Sequence, residues 1–304
     1  MITKLRIISF IALTCLLLVL CGFTSAKQFP NIEDAKHALA EKYATNFISM
    51  TPEEASERAK IIDKTLLKMA AENKAISEID QAMSIYKVYR LVVPAVSTSG
   101  VTPMDTSPND AICNSVNIYY DSTTANWIVC GGGWWTNNNW FNDRYWLWIP
   151  YRGEIHNCGG YDSIGITYYN TSGTYNTSVI SSMGYATDQN GWSEYSYSPS
   201  HGNGALGVAF DFQDRHKYIS GFKLVIYVSD MTYSMKGYSA LVRYNSNFVN
   251  YNGYARTFYA HTWNSCNITG ITFGTSGSSF GVNVTFTPND PHGWRIFNNS
   301  DTLF

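Results

Sequence analysis

The stretch VNIYYDSTTANWIVC, residues 116–130, carries the clearest signal for the fold of this chain. Val116, Ile118 and Tyr120 recur at a period of two, which is the period of a strand that buries one face. The polar segment 121–126 follows, and the apolar run 127–129 then begins a second extended segment. Polar residues of this kind between two apolar runs are typical of a chain reversal. The stretch therefore predicts a β-hairpin.

The same period of two returns at 222–228 and 282–286, and other short segments of the following sequence are candidate strands. Glycine, asparagine and serine separate these short segments, and no helical pattern lies between them. We therefore predict a mainly β protein: an antiparallel β-sandwich of jelly-roll-like type over residues 111–304, preceded by a small N-terminal α-helical region. Further strands are predicted at 145–149, 164–169, 206–212, 222–228, 238–244, 254–259, 268–273 and 282–286.

The region 27–94 has a helical pattern. Thr51, Pro52 and Glu54 form the sequence of a capping box with proline in the first turn, which marks the start of a helix. Apolar residues at helical spacing follow it. This region is either a structural subdomain or a pro-segment or adaptor that docks elsewhere. Residues 95–110, rich in serine, threonine and proline, are predicted to be a linker.

The first 26 residues have the pattern of a secretory signal peptide. Lys4 and Arg6 precede the apolar run 7–23, and the small residues 24–26 provide a cleavage site. An uncleaved membrane anchor is the alternative. We expect the protein to be secreted, either outside the cell or into a periplasm.

Four cysteines remain after the predicted signal: Cys113, Cys130, Cys158 and Cys266. An even number of cysteines in an exported chain predicts disulfide bonds. A hairpin that reverses near Asp121 would bring Cys113 opposite Cys130. The expected bonds are therefore Cys113 to Cys130 and Cys158 to Cys266. Zinc binding is the alternative use, but the sequence has no C-x-x-C spacing.

The composition favours a polar, uncharged partner. Charged residues are 14% of the chain, the net charge is −2, and there are 22 tyrosines. This charge balance argues against nucleic acid as a partner. We predict a glycan or another cell-surface component as the partner, whereas the sequence leaves the oligomeric state open.

Six of the nine tryptophans lie between residues 127 and 148. Trp134, Trp135 and Trp140 lie among glycines 131–133 and asparagines 137–139, so we interpret this segment as a binding loop. A sugar ring can stack on an indole while asparagine side chains hydrogen-bond its hydroxyls. Contact with a membrane or a protein partner is the alternative, as is packing in the core. The predicted ligand-binding residues are Trp134, Trp135, Asn137, Asn138, Asn139 and Trp140.

Catalytic residues are sparse in the predicted β domain. Its two glutamates, Glu154 and Glu194, are the candidates for a glycoside hydrolase, which needs a pair of carboxylates. The composition is similar to that of the jelly-roll xylanases, but their glutamate-bearing strand motif is not found here. Asp211 and Asp214 could bind calcium, although turn roles explain them as well. We therefore predict no cofactor and no metal.

The sequence thus predicts a secreted binding protein, more consistent with a non-catalytic role, for a glycan or another polar uncharged ligand. The alternatives are a glycoside hydrolase that uses Glu154 and Glu194, and a secreted protein that interacts with a membrane or a protein partner.

Overall fold

The computed structural model describes residues 31–92, 110–137, 155–172, 177–189, 191–222, 225–233, 235–274 and 281–304. The described residues from Ile32 to Phe304 form one compact unit. It is mainly β, with antiparallel sheets and few helices.

Three helices precede all of the strands that the structure describes. The capping box predicted for the second helix is confirmed, because Thr51 Oγ1 accepts from the Glu54 N–H and Glu54 Oε2 accepts from the Thr51 N–H. None of the helices that the structure describes has the length and hydrophobicity needed to cross a bilayer. The helices are α1 (Ile32–Lys42), α2 (Pro52–Ala71) and α3 (Ile76–Ile85), and short 3₁₀ turns lie at Ala44–Asn46 and Ser246–Asn250.

The described strands form two sheets of seven strands each and one separate hairpin. Sheet I contains β1 (Val88–Arg90), β2 (Ala111–Cys113), β3 (Asn117–Asp121), β4 (Asn126–Trp135), β6 (Val179–Thr187), β7 (Ser193–Ser196) and β11 (Gly237–Tyr244). Sheet II contains β5 (Ile155–Ser172), β8 (His201–Gly202), β9 (Gly207–Phe222), β10 (Val225–Tyr233), β12 (Asn252–Thr262), β15 (Gly293–Phe297) and β16 (Thr302–Leu303). The hairpin contains β13 (Ile268–Phe273) and β14 (Val282–Phe286).

All pairs among the described strands are antiparallel. Sheet I has the order β1-β3-β4-β11-β6-β7, with β2 also paired to β4. Sheet II has the order β10-β9-β5-β12-β15, with β8 on β9 and β16 on β12. The predicted hairpin is confirmed as β3 and β4, in which Tyr120 pairs with Trp127 and Asn117 with Cys130.

The two faces of β4 pack against different partners. Trp127 and Val129 point into a core that also contains Ile164 and Ile166 of sheet II, and we call it the inter-sheet core. Ile128 and Cys130 point the other way, against apolar residues of α2 and α3. We call this second side the helix-covered face of sheet I. Side chains alternate along a strand, so the register of β4 determines both which residues face the inter-sheet core and which face the helices.

A buried ionic network fixes α2 to the helix-covered face. Arg243 of β11 donates from Nη2 to Asp63 Oδ1 at 2.6 Å and from Nη1 to Asp121 Oδ2 at 3.0 Å. Arg58 also reaches Asp121 Oδ2, at 2.6 Å. Burial alone would raise the pKa of Asp121, but the charges of Arg243 and Arg58 lower it. These contacts join residues from α2, β3 and β11.

Lys36 of α1 is fully buried. Its ammonium donates to the carbonyl oxygens of Phe248 and Tyr251, at 3.1 and 2.6 Å, and to Asn252 Oδ1 at 3.0 Å. Its Nζ also lies 4.7 Å from the centre of the Phe248 ring. Burial lowers the pKa of Lys36 to about 7, and the charge of Glu33 opposes this shift only in part.

The lowered pKa of Lys36 predicts that stability increases with pH. Between the folded-state pKa of about 7 and the ordinary value of 10.5, the unfolded chain holds more protons at this position than the folded chain. The free energy of unfolding should therefore rise with pH in this window, by up to about 1.4 kcal/mol per pH unit. Urea unfolding at pH 7, 8 and 9 of the wild type and Lys36→Met measures it. The difference between the two proteins should shift in favour of the wild type as pH rises, and a constant difference would contradict the assignment.

The predicted Cys113 to Cys130 disulfide is wrong. No disulfide links the four cysteines of the described residues, and all four are buried. Cys113 pairs with Gly133 and Cys130 pairs with Asn117, so the two positions on β4 are three residues apart. An odd separation places the side chains on opposite sides of the sheet. Cys113 therefore belongs to the inter-sheet core and Cys130 to the helix-covered face. Burial raises the pKa of each thiol.

The predicted Cys158 to Cys266 disulfide is not formed either. The Cys266 sulfur faces Gly293, where an added Cβ would lie 3.1 Å from it. The backbone of β5 lies close to the backbone of Cys266, since a Cβ on Gly160 would lie 2.2 Å from the carbonyl oxygen of Cys266. Gln213 Nε2 donates to the carbonyl oxygen of Cys158 at 3.2 Å.

Candidate functional site

Three acid-base side chains meet in the inter-sheet core. Asp162 lies on β5, Asp214 on β9 and His261 on β12, and each is at most 3% exposed. One potential ligand atom from each residue lies within 4.8 Å of those from the other two. We call these three residues the acid–histidine cluster. Three strands of sheet II thus bring it together.

Hydrogen bonds from neighbouring groups orient the two carboxylates. Asp162 Oδ2 lies 2.8 Å from His261 Nδ1 and accepts from the Tyr259 hydroxyl, while Asp162 Oδ1 accepts from the Thr262 N–H at 2.8 Å. Asp214 Oδ1 accepts from the Met235 N–H at 3.1 Å. Burial, followed by the charges of Asp162 and Asp214, raises the pKa of Tyr259 well above its ordinary value. Tyr259 therefore stays protonated and acts as a donor.

Aromatic rings surround His261. The ring centres of Trp135 and Trp294 lie 4.9 and 5.1 Å from that of His261, and Trp263 stacks on it at 5.5 Å. Trp135 also donates from Nε1 to the Tyr259 hydroxyl at 3.3 Å. The cluster is therefore a polar centre inside an aromatic shell that both sheets build.

A separate cavity of about 460 Å³ lies between α2, α3 and sheet I. Leu66, Ile79 and Tyr119 give its base an apolar character, and Gly131 and Gly132 contribute backbone. Glycine is needed at 132 because a Cβ there would lie 2.8 Å from the carbonyl oxygen of Tyr238 and 3.2 Å from the Cβ of Ala70.

The rim of this cavity is polar. Side-chain amides dominate it, and a serine and two basic residues complete it: Asn73, Lys74, Arg90, Asn114, Ser115 and Asn117. Arg90 Nε contacts both carboxylate oxygens of Asp80 at 3.0 Å. That hydrogen bond raises the pKa of Arg90, so this charge is fixed on the rim by an ion pair.

Two of the predicted ligand-binding tryptophans lie in a strand, not in the expected loop. Trp134 and Trp135 are the last residues of β4. Trp134 is half-buried and lies on the same side of β4 as Cys130 and Gly132, which line the cavity. Trp135 is 4% exposed and belongs to the inter-sheet core. The glycines before them pair with β11. The sequence predicts an unpaired glycine-rich loop at this position.

Only some of the other predicted site residues lie within the described part of the chain. Asn137 donates from Nδ2 to the carboxylate of Asp110, whereas Asn138, Asn139 and Trp140 lie outside the described residues. Glu194 lies on β7, the edge strand of sheet I, opposite Ala186.

Glu154 lies outside the described residues. The pairing of its carboxylate with that of Glu194, on which the hydrolase alternative depends, therefore stays a prediction.

The acid–histidine cluster was not predicted from the sequence as a unit. The sequence suggests Asp214 only as part of a calcium-binding loop, and no histidine spacing points to His261. The three residues are about fifty positions apart along the chain, so only the pairing of β5 with β9 and β12 brings them together.

No protein-family model matches the sequence, and no curated protein or solved structure matches it significantly.

Proposed function

We propose that this chain is a secreted, non-catalytic binding protein whose cavity between α2, α3 and sheet I takes up a polar, uncharged ligand, of which a sugar is the best-fitting class. The observation that carries the proposal is the cavity itself. Its volume of about 460 Å³ falls within the usual range for small-molecule sites, about 300 to 1,000 Å³. The part of the proposal that concerns secretion rests on the signal-like sequence of residues 1–26.

The rim chemistry favours a hydroxyl-rich ligand. Asn73, Asn114 and Asn117 each offer a donor and an acceptor, as sugar hydroxyls do. The Arg90 charge is already paired with Asp80, and the neutral side chains of the rim outnumber Lys74, its other basic residue. An apolar base below such a rim suits the faces of a sugar ring.

Trp134 supports the same class of ligand. It is not among the residues that line the cavity, but it lies on the cavity side of β4, two residues after Gly132, and it is half-buried rather than part of the core. An indole in this position offers a flat apolar face for stacking, which is the role that the sequence suggested for it.

A β-sandwich of jelly-roll-like type is the scaffold that we infer for this site. Residues of both sheets pack in one inter-sheet core, and sheet I carries the helices on its other side. A rigid sheet of this kind would hold the cavity lining in place without a ligand.

Isothermal titration against monosaccharides and oligosaccharides, together with pull-down on insoluble polysaccharides, tests the proposal. Asn117→Ala should weaken binding about 3- to 10-fold, because it removes one neutral hydrogen-bonding group. Asn283→Ala makes the same change on the exposed side of β14 and should bind as the wild type does. No binding by the wild type, or equal binding by the Asn117 and wild-type proteins, would contradict a sugar site here.

The same samples address the hydrolase alternative. Release of reducing sugar by the wild type, lost in Glu194→Gln, would replace the non-catalytic proposal with an enzyme.

A further inference from the structure

The acid–histidine cluster lies in the inter-sheet core, on the other side of sheet I from the proposed sugar cavity. We propose that it binds one divalent first-row transition-metal ion, with zinc as the expected ion. This inference does not rest on the proposed function, because the two sites share no residue.

The donor set is the first argument. Asp162 and Asp214 offer carboxylate oxygens and His261 offers an imidazole nitrogen, with the three atoms within 4.8 Å of one another. Imidazole favours zinc and its neighbours over magnesium or calcium, and zinc also accepts carboxylate oxygen. Three protein ligands of mixed oxygen and nitrogen type leave a fourth position for water, as in many zinc sites.

Charge is the second argument. Asp162 and Asp214 are 1% and 2% exposed, and a buried carboxylate is costly unless an opposite charge is close. A divalent cation between the two carboxylates would supply such a charge and make a neutral assembly with them.

The surroundings of the cluster are the third argument. Metal-binding carboxylates and histidines are usually oriented by hydrogen bonds from outside the ligand set. Here the Thr262 and Met235 N–H groups hold one oxygen of each carboxylate, and the Tyr259 hydroxyl donates to Asp162. Trp135 in turn donates to Tyr259, so an outer shell orients the inner one.

The geometry requires a small adjustment. Ligand atoms on a tetrahedral zinc ion lie roughly 3.3 Å apart, given bond lengths of about 2.0 to 2.1 Å. Asp162 Oδ2 and His261 Nδ1 are hydrogen-bonded at 2.8 Å, so if these two atoms bind the ion, the proton between them is released. The separations among the three ligand atoms are at most 4.8 Å, so the widest of them has to shorten by no more than about 1.5 Å to reach the tetrahedral value.

Metal content and zinc titration of the full-length protein test this inference. After treatment with EDTA, the wild type should take up one zinc ion per chain by isothermal titration and gain thermal stability. Asp214→Asn and His261→Gln should each weaken zinc binding by at least about 10-fold, as should loss of the outer-shell hydroxyl in Tyr259→Phe.

A second His–Asp pair in the same sheet supplies matched controls. His201 Nε2 and Asp211 Oδ2 lie 3.0 Å apart, but they are not part of the cluster. His201→Gln and Asp211→Asn should bind zinc as the wild type does. The inference is overturned if the wild type takes up no zinc, or if the control variants lose binding while the cluster variants retain it.

The wild type alone gives a further readout in case the cluster variants do not fold. X-ray absorption at the zinc edge should show only nitrogen and oxygen neighbours, including imidazole. Sulfur in the first shell would place the ion on the buried cysteines instead and would overturn the assignment.

Discussion

Replacing Arg243 with methionine is expected to lower the free energy of unfolding by about 3 to 5 kcal/mol, because the change leaves two buried carboxylates without their shared partner. Asp63 and Asp121 both contact Arg243, and all three side chains are at most 2% exposed. Arg58 contacts Asp121 but not Asp63. In the variant, Arg58 can therefore compensate only the charge of Asp121. Urea unfolding followed by circular dichroism measures the loss.

The ion pair on the cavity rim provides the control for Arg243. Arg90 and Asp80 are 25% and 35% exposed, and an exposed pair contributes only about 0 to 1 kcal/mol. Arg90→Met should therefore cost much less than Arg243→Met. Adding Asp63→Asn to Arg243→Met should recover part of the loss, since it removes one of the stranded charges. Equal losses in the two single variants would contradict the role of the network.

Trp135→Ala is expected to destabilise the protein by about 3 to 5 kcal/mol, because it empties a large volume in the inter-sheet core. The Trp135 ring packs against Tyr259, His261 and Trp294. Its indole N–H bond to the Tyr259 hydroxyl is lost as well. Thermal and urea unfolding measure the effect.

The neighbouring tryptophan is the matched control. Trp134 is half-buried on the opposite side of the same strand, so Trp134→Ala should cost only about 1 kcal/mol. It should nevertheless weaken sugar binding if the proposed function holds. If the two alanine variants lose the same stability, then Trp135 does not have the core role that its contacts indicate.

Because of this contrast, Trp134 and Trp135 have to be replaced one at a time. A variant that removes Trp134 and Trp135 together combines a large loss of stability with any loss of binding, so the two effects cannot be separated in it. Trp134 alone separates binding from folding, because its loss leaves the inter-sheet core intact.

Local signals in the sequence predicted much of the fold. The strands predicted at 268–273 and 282–286 match β13 and β14 residue for residue. The hairpin of β3 and β4 also forms, but Asp121 pairs with Asn126, so its reversal is centred two residues later than predicted. The Thr51 capping box starts α2 where the sequence placed it. These features depend on residues close together in the chain, which is why they can be read without a structure.

The candidate sites were predicted less well. The sequence singled out glycines 131–133 and Trp134, and part of that segment does line a cavity. It placed Trp135 on a surface loop, however, because a run of glycines has no apolar pattern to reveal a strand. The glycines lie in β4 because β11 pairs along them.

The sequence by itself determined that this chain forms short antiparallel strands after a helical segment, since side-chain periodicity and capping act over a few residues. Only the tertiary structure decided which way each side chain points. The register of β2 and β3 on β4 separated Cys113 from Cys130, and the pairing of β5 with β9 and β12 assembled Asp162, Asp214 and His261. A shift of one residue in any of these strands would reverse its faces, and that register is set by packing between distant segments.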